Sequence, residues 1–191
     1  MSEIMEASKS QKIGLQIQSL GPFFRITAKS LETQKELGRA EGLVRVWLGG
    51  KILHLDSIRL RRETLGMERS IFGIGLFVGA VAVRYGYDCG CTTFDLSCGS
   101  SSCCRYSESI LHSFDCIFPN IALLNLERGH FDVSQLVKFY KRIGFRAVRE
   151  VTGSSLGDLL HMLVWGGIGT RMDADISELL VKWCTRFKPR N

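Results

Sequence analysis

The stretch SIFGIGLFVGAVAVRYGYDCGCTTFDL, residues 70–96, decides how this chain is interpreted. From residue 75 to residue 85 it is almost continuously apolar, and Arg84 is the one charged residue of that run. An apolar run of this length, rich in alanine and glycine, favours a buried helix that stops at Gly86. TTFDL after it predicts a short strand. The glycines that open the stretch are Gly73, Gly75 and Gly79.

These glycines allow two interpretations. A helix whose first turn carries glycines offers free backbone N–H groups and a positive dipole end to a phosphate, with no side chain to hold the ligand away. Glycines also let a buried helix pack closely against a sheet. The stretch by itself supports both, and the segments around it favour the first.

The clearest local structure before it is LVRVWLGGKILHLDSIRL, residues 43–60. Two apolar runs rich in β-branched residues and joined by Gly49 and Gly50 predict an antiparallel hairpin. Its turn is predicted to be of the primed kind, in which both central residues adopt positive φ.

Upstream of the hairpin, we expect strands at residues 12–19 and 23–28. Between them and the hairpin, LETQKELGRA predicts a short polar helix that is capped by Ser30 and stops near Gly42. Residues 1–11 are predicted to be a flexible leader.

The segment 97–132 contains CGSSSCCRYSES and shows no sustained periodicity. An irregular stretch of this length is unusual inside a compact domain, and we interpret it as an insertion. NIALLNL within it is an alternative to TTFDL as the strand that precedes the next helix. Residues 12–191 are otherwise expected to form a single domain.

After the insertion, QLVKFYKRIGF predicts an amphipathic helix capped by Ser134 and ended by Gly144. RAVREV and LLHMLVW are predicted to be strands. ISELLVKWCTRF predicts a closing amphipathic helix with Asp173 or Asp175 near its positive end. Trp47, Trp165 and Trp183 are expected in the core.

Composition places the chain among ordinary globular domains. Its 191 residues are 45% hydrophobic and 23% charged, with a net charge of +6. Without a secretory signal or a long apolar run, we expect no membrane association. The charge is too dispersed for us to expect nucleic-acid binding. A cytoplasmic location is predicted, with a plastid as the alternative.

The seven cysteines are expected to be reduced thiols, because the number is odd and no secretory signal precedes them. Their spacing, Cys-x-Cys followed by a Cys-Cys pair and a lone Cys, does not form the two matched knuckles of a structural zinc site. We therefore predict no metal.

A dinucleotide-binding fold is one alternative. It requires a strand that leads directly into the glycines and an acidic residue about 20 positions later. Asp95 lies at that distance from Gly75. However, an antiparallel hairpin and about ten mostly polar residues precede Gly73, which disfavours this alternative.

The order hairpin, glycine-rich helix, strand and tyrosine-bearing helix resembles the GNAT superfamily of acyl-CoA-dependent N-acetyltransferases, with a plant or plastid type among the possibilities. The matching segments are LVRVWLGGKILHLDSIRL, SIFGIGLFVGAVAVRYG and LVKFYKRIGF. In the last, Tyr140, Gly144 and Phe145 fall on the family's Leu-Tyr-x-x-x-Gly-Phe pattern. The resemblance implies an α/β (α+β) fold with a mixed, mostly antiparallel central sheet flanked by helices.

The resemblance also implies an activity. Acetyl would pass from acetyl-CoA, as co-substrate, to a primary amine of a protein or a small molecule by direct attack in a ternary complex. Tyr140 would protonate the departing thiolate. The residues implied for cofactor binding are Ile58, Arg59 and Leu60 for the pantetheine, Phe72, Gly73, Ile74, Gly75 and Leu76 for the pyrophosphate, and Arg69 and Ser70 beside them.

Ser70 departs from the family pattern, which usually has Gln or Arg at that position. A non-catalytic module that binds CoA or a partner is therefore a second interpretation. The general base also stays open, with His54, Asp56 and Glu63 as candidates. The oligomeric state is not predicted.

Overall fold

The computed structural model describes residues 1–60, 70–98, 133–155, 158 and 168–187. The helices and strands follow one another as α1 (Ser2–Ser10), β1 (Ile13–Leu20), β2 (Phe23–Ser30), β3 (Glu36–Trp47), β4 (Gly50–Leu60), α2 (Ser70–Asp88), β5 (Cys91–Cys98), α3 (Val133–Ile143), β6 (Arg146–Val151), β7 (Gly169–Asp175) and α4 (Ile176–Cys184). A short 3-10 turn, Thr185–Phe187, follows α4.

These strands form one sheet in the order β1-β2-β3-β4-β5-β7-β6. Neighbouring strands are antiparallel except β4 and β5, which are parallel. A parallel pair needs a crossover connection, and α2 lies within it. The predicted class, a mixed and mostly antiparallel sheet flanked by helices, is confirmed.

Helix α2 covers one face of the sheet and packs against α4, which also contacts β5 and β7. An apolar helix of this kind is expected where a helix is enclosed on most sides. The prediction of a buried helix is confirmed, although it ends at Asp88 and not at Gly86. Gly90, between the end of α2 and the start of β5, has a positive φ of 75°. The almost fully buried residues of α2 are Ile74, Phe77, Val78, Ala80, Val81, Ala82 and Val83.

The predicted polar helix between residues 31 and 42 is wrong, because most of that segment belongs to β3. Polar residues alternate there with small ones, so that Gly38, Ala40 and Gly42 are buried. A Cβ at Gly38 would come within 2.5 Å of Leu60 and 3.2 Å of Ile74. The small residues thus let β3 lie close beneath α2, a tertiary requirement that the local helical pattern does not reveal.

The first residues are helical where a flexible leader was predicted. α1 places Ile4 in the core with 2% of its surface exposed, and Ser8 one turn later is fully buried. The helix packs against β1 and α2. The prediction of a flexible leader is wrong because one face of α1 packs against the core. The short segment, with its charged residues, did not indicate this contact.

The predicted hairpin is confirmed, since β3 and β4 pair antiparallel and close with Trp47 opposite Gly50. Its turn differs from the prediction. The central residues are Leu48 and Gly49, and positive φ is found at neither of them but at Gly50, with 124°. A glycine in this position after the turn is typical of a bulge-type hairpin. Trp47 is 54% exposed, so its predicted core position is wrong.

The tyrosine-bearing helix is confirmed as α3, which begins at Val133. Ser134, the predicted cap, is therefore the second residue of the helix and does not precede it. Gly144, with a φ of 119°, ends it. β6 was predicted and β7 was not. Of the two aspartates predicted near the positive end of α4, Asp175 is its N-cap, and its Oδ1 accepts hydrogen bonds from the N–H groups of Ser177 and Glu178 at 2.8 and 2.9 Å.

TTFDL is confirmed as part of β5, which also takes in Ser97 and Cys98 from the predicted insertion. The rest of the insertion, with NIALLNL, lies outside the described residues, as do LLHMLVW and Trp165. Among the described residues, no helix is both long and apolar enough to cross a membrane.

Candidate functional site

Strands β4 and β5 diverge at one end of the sheet. Their parallel ladder ends at the pair Leu55–Leu96. Beyond it, β5 stays paired with β7 as far as Cys98, and β4 stays paired with β3 as far as Leu60. Within the described part of the chain, the edge of residues 56–60 that faces β5 therefore has no ladder partner. We call this gap between residues 56–60 and 97–98 the fork.

The fork begins at a β-bulge in β4. On β3, Gly42 is opposite Leu55 and Glu41 is opposite Ser57, so Asp56 is an extra residue in the ladder. A bulge bends its strand and increases the local twist. The bulge therefore coincides with the point where β4 leaves β5.

The bulge also changes which side chains face α2. Leu55 and Ile58 are three residues apart, yet both line the same cavity beneath α2, which strict alternation would not allow. Glycine is required opposite the bulge, because a Cβ on Gly42 would overlap the carbonyl oxygen of His54.

The glycines of α2 divide into two groups. A Cβ on Gly79 would overlap the ring of Trp183, and a Cβ on Gly86 would lie 2.5 Å from Ile176. Close packing thus explains these two. Among the described residues, a Cβ on Gly75 would meet only Leu60, at an ordinary contact distance of 3.6 Å. Packing therefore does not require glycine at position 75, which lies beside the last residue of β4.

The residues proposed from the sequence for cofactor binding lie on both sides of the fork. Ile58 and Leu60 are buried, and Arg59 is exposed. At the start of α2, Ile74 is buried and Leu76 is half-buried. Arg69 and Glu63 lie outside the described residues, and only the helical backbone is described for Ser70, Phe72 and Gly73.

Tyr140 lies on α3 and is 3% exposed. Its ring packs edge-on against Phe145, with centroids 5.4 Å apart. It shares a small apolar cavity of about 20 Å³ with Leu55 and Ile58 of β4 and with Leu96 of β5. The fold therefore brings the predicted acid to the fork, on the face of the sheet that α2 covers.

Helix α4 holds α3 in this position. Trp183 donates a hydrogen bond from Nε1 to the carbonyl oxygen of Ile143 at 3.1 Å, and Lys182 donates from Nζ to that of Arg142 at 3.0 Å. Both acceptors are terminal carbonyls of α3, which a helix leaves without internal partners. Trp183 also lines the cavity with Tyr140, so its predicted core position is confirmed.

His54 and Asp95 form a buried polar pair on the other face of the sheet. They are neighbours of Leu55 and Leu96, and they are opposite each other in the β4–β5 ladder. His54 Nδ1 lies 2.8 Å from Asp95 Oδ1, and His54 Nε2 lies 3.2 Å from Oδ1 of the bulge residue Asp56. His54 is 3% exposed and Asp95 is fully buried.

Both ring nitrogens of His54 thus face carboxylate oxygens, and only the doubly protonated imidazolium can donate from both. Burial opposes the charged ring, but the hydrogen bonds to Asp56 and Asp95 outweigh it and raise the pKa of His54 to about 9, against a repulsive contribution from Arg45. His54 is therefore a cation at neutral pH, held between an exposed carboxylate and a buried one.

The buried position of Asp95 contradicts the dinucleotide interpretation. Its Oδ1 is occupied by His54, and its Oδ2 lies 3.6 Å from Nη2 of Arg171 on β7. A carboxylate enclosed in this way is not available to a ribose. The sequence signal for the pair was a polar residue between two apolar neighbours in each strand, and this signal becomes informative only once the strands are known to be neighbours.

Four thiols lie in the described part of the chain, and all are free: Cys89, Cys91, Cys98 and Cys184. Burial raises the pKa of the Cys91 thiol to about 11. The described residues contain no group of three or more His, Cys, Asp or Glu side chains that could hold a metal ion.

No protein-family model matches the sequence, and no curated protein matches it. Among solved structures, one similar protein is an acetyltransferase assigned to the GNAT family from Desulfovibrio desulfuricans, with 11% identity, a TM-score of 0.44, and coverage of 81% of this chain and 70% of that one. Another is the aminoglycoside 6'-N-acetyltransferase from Enterococcus faecium, with 16% identity, a TM-score of 0.40, and coverage of 87% and 75%.

Proposed function

We propose that this protein is an N-acetyltransferase that transfers acetyl from acetyl-CoA to a primary amine. The observation that carries the proposal is the fork, where two parallel strands separate below the start of a glycine-bearing helix. A gap of this kind gives an extended ligand an unpaired strand edge on one side and a helix N-terminus near its end.

The pantetheine arm would bind along β4. Its two amide groups resemble a short peptide, and residues 56–60 present main-chain donors and acceptors on a side where no described strand pairs with them. Ile58, Arg59 and Leu60 are the residues that we assign to this contact. The side chains of Ile58 and Leu60 are buried in the core and anchor this part of β4, which supports a rigid strand edge.

The pyrophosphate would bind at the start of α2. The N–H groups of the first turn of α2, which begins at Ser70, lack internal partners and carry the positive end of the helix dipole. Among the described residues, only Leu60 comes near a Cβ on Gly75, which supports a close approach of the phosphates there. We assign this role to residues 72–76, with Arg69 and Ser70 beside them.

Tyr140 would donate a proton to the departing thiolate. A phenol remains protonated at neutral pH and is a stronger acid than water, so it suits a thiolate leaving group. Its place in the cavity beside Leu55 and Leu96, the last ladder pair before the fork, supports this assignment.

A CoA-binding module without catalysis is the second candidate. The burial of Tyr140 among apolar side chains favours it, because a core aromatic residue of an amphipathic helix has the same environment. Turnover distinguishes the two candidates, whereas cofactor binding is common to both.

Thermal unfolding with and without acetyl-CoA tests the proposal, with NAD as the control ligand. At a hundredfold excess over its dissociation constant, a ligand that binds only the native state adds about 2.7 kcal/mol of stability. For a chain of this size we expect the midpoint to rise by roughly 5–10 °C with acetyl-CoA alone. A midpoint that rises with NAD alone contradicts the proposal, and so does a midpoint that rises with neither ligand.

A further inference from the structure

Five large apolar side chains are exposed together at the end of the sheet opposite the fork. The exposed fractions are 83% for Leu20, 58% for Phe23, 78% for Val46, 54% for Trp47 and 102% for Leu48. Single exposed apolar residues are normal, whereas a contiguous group of them marks an interaction surface. The roles assigned above use none of these five residues. We call them the hairpin patch.

The register of the first three strands brings the two turns of the hairpin patch together. Leu20 is opposite Phe23 in the β1–β2 ladder, and Phe23 is opposite Leu43 in the β2–β3 ladder. The N–H group of Val44 also donates a hydrogen bond to the carbonyl oxygen of Pro22 at 2.8 Å. The β1–β2 turn is therefore held against β3, although the two turns are far apart in the sequence.

The β3–β4 turn projects beyond the β1–β2 turn. β3 continues for three residues past Val44 and ends at Trp47, a rise of about 10 Å. Leu48 and Gly49 form the tip, and a Cβ on Gly49 would have no neighbour within 4 Å in the described part of the chain. The patch is thus convex. A protein partner would need a pocket of matching shape, whereas the interface of a lipid bilayer admits a protruding apolar tip.

The hairpin that carries the tip is positively charged. Residues 42–55 contain no Asp or Glu, but they contain Arg45 and Lys51 on either side of the turn. Residues 11–31, which include the β1–β2 turn, also contain no Asp or Glu. A basic side chain on each side of an apolar tip complements an anionic membrane surface.

The carboxylates at this end of the sheet are already engaged. Asp88 at the end of α2 pairs with Arg84 at 2.9 Å, and Glu41 of β3 pairs with Arg25 at 2.7 Å. Asp175 accepts the hydrogen bonds that cap α4. These contacts offset the negative charges locally, so the charge beside the tip is that of the basic hairpin.

From this geometry we infer that the hairpin patch binds the surface of a membrane that contains anionic lipids. The apolar tip would enter the boundary between headgroups and acyl chains, with Trp47 at the level of the headgroups. Arg45 and Lys51 would face the anionic headgroups. Peripheral binding of this kind needs no long apolar run, so the inference replaces the expectation of no membrane association. It does not depend on the proposed acetyl transfer.

The fork would stay clear of the membrane in this orientation. It begins at residue 56, six residues along β4 from Gly50, which corresponds to about 20 Å. An insertion depth of roughly 5–10 Å leaves this distance unfilled by lipid. Vesicles should therefore leave the midpoint shift with acetyl-CoA unchanged.

The test measures sedimentation of the purified protein with vesicles of phosphatidylcholine and phosphatidylserine, and with vesicles of phosphatidylcholine alone. The variants are Leu48→Ser and Trp47→Phe. Val148→Ser is the control, because Val148 is a 51% exposed apolar residue of β6, at the other edge of the sheet from β1. Tryptophan fluorescence is recorded with brominated lipids, which quench an inserted indole ring. Thermal unfolding of each variant checks that it is folded.

We expect the wild type to sediment with the anionic vesicles only, and less at high salt, because salt screens the basic side chains. Leu48→Ser should weaken binding by about tenfold or more, the usual effect of removing one leucine side chain from an apolar environment. Trp47→Phe should retain most of the binding and lose the quenching. Val148→Ser should bind as the wild type does. Because Leu48 and Val148 are exposed, neither substitution should lower the unfolding midpoint.

A wild-type protein that does not sediment with the anionic vesicles overturns the inference. Equal binding to both lipid compositions also overturns it, since the basic side chains would then have no role. Undiminished binding of Leu48→Ser shows that the patch is not the contact. Light scattering covers the remaining occupant: a dimer that Leu48→Ser dissociates, without vesicle binding, assigns the patch to a second copy of this chain and overturns the inference.

Discussion

Gly79 of α2 lies against the ring of Trp183 of α4, so closely that a methyl group on Gly79 would overlap ring carbon Cζ3. The same tryptophan lines the cavity of Tyr140 and donates a hydrogen bond to the last turn of α3. One close contact between two helices therefore sets the position of a third helix and of its tyrosine at the fork.

Gly79→Ala should destabilise the protein. Alanine normally gains about 1 kcal/mol over glycine in a helix, but overpacking here costs more, so we expect a net loss of roughly 1–2 kcal/mol. Gly75→Ala is the matched control, because among the described residues its Cβ meets only Leu60, at 3.6 Å, and it should be neutral or stabilising. Urea unfolding of both variants measures the difference. Equal stabilities would show that the contact with Trp183 does not constrain α2.

Gly75→Asp should abolish the midpoint shift with acetyl-CoA while the protein stays folded. The substitution places an anion where we propose that the pyrophosphate binds, and the surroundings of Gly75 leave room for a side chain. Gly49→Asp adds the same charge in the β3–β4 turn, where a Cβ has no neighbour within 4 Å in the described part of the chain, and should keep the shift. A normal shift in Gly75→Asp would exclude the proposed phosphate site.

Tyr140→Phe should lower turnover by about a hundredfold or more, because proton donation to the thiolate is lost. The affinity for acetyl-CoA should change little, because no other contact is removed. Tyr87→Phe is the control, since Tyr87 is an exposed tyrosine near the end of α2. The measurement is thiol release under saturating acetyl-CoA. Unchanged turnover in Tyr140→Phe would reject the acid role and leave Tyr140 as a packing residue.

Stability should fall as the pH rises through the range in which His54 loses its proton. The pKa of His54 is raised from 6.5 to about 9 in the folded protein, because the hydrogen bonds to Asp56 and Asp95 outweigh burial. Its contribution is complete below pH 6.5 and disappears as the pH approaches 9. It amounts to at most about 3 kcal/mol at about 1.4 kcal/mol per unit.

Unfolding free energies at several pH values between 6 and 9 check this expectation. In His54→Gln the slope should be clearly flatter than in the wild type, because no group at this position then titrates. Identical slopes in the two proteins would mean that His54 is not the imidazolium that the two carboxylate contacts require.

Several parts of this structure followed from local sequence patterns. Apolar runs flanking Gly49 and Gly50 predicted the hairpin, the apolar run after Gly75 predicted α2, and helical periodicity predicted α3 and α4. Asp175 was one of two predicted aspartates, and its place directly before α4 explains why it is the cap. These elements are specified by residues within a few positions of one another, so their patterns remain visible without the fold.

The sequence by itself thus determined α2 with its glycines, α3, α4 and the hairpin. Only the tertiary structure decided that residues 36–42 form a strand, that β7 lies between β5 and β6, and that Asp56 is a bulge. It also brought together His54 and Asp95, which are 41 residues apart, and separated Gly79, needed for packing, from Gly75. The physical reason is that each of these features depends on a partner distant along the chain, and no local pattern encodes the partner's identity.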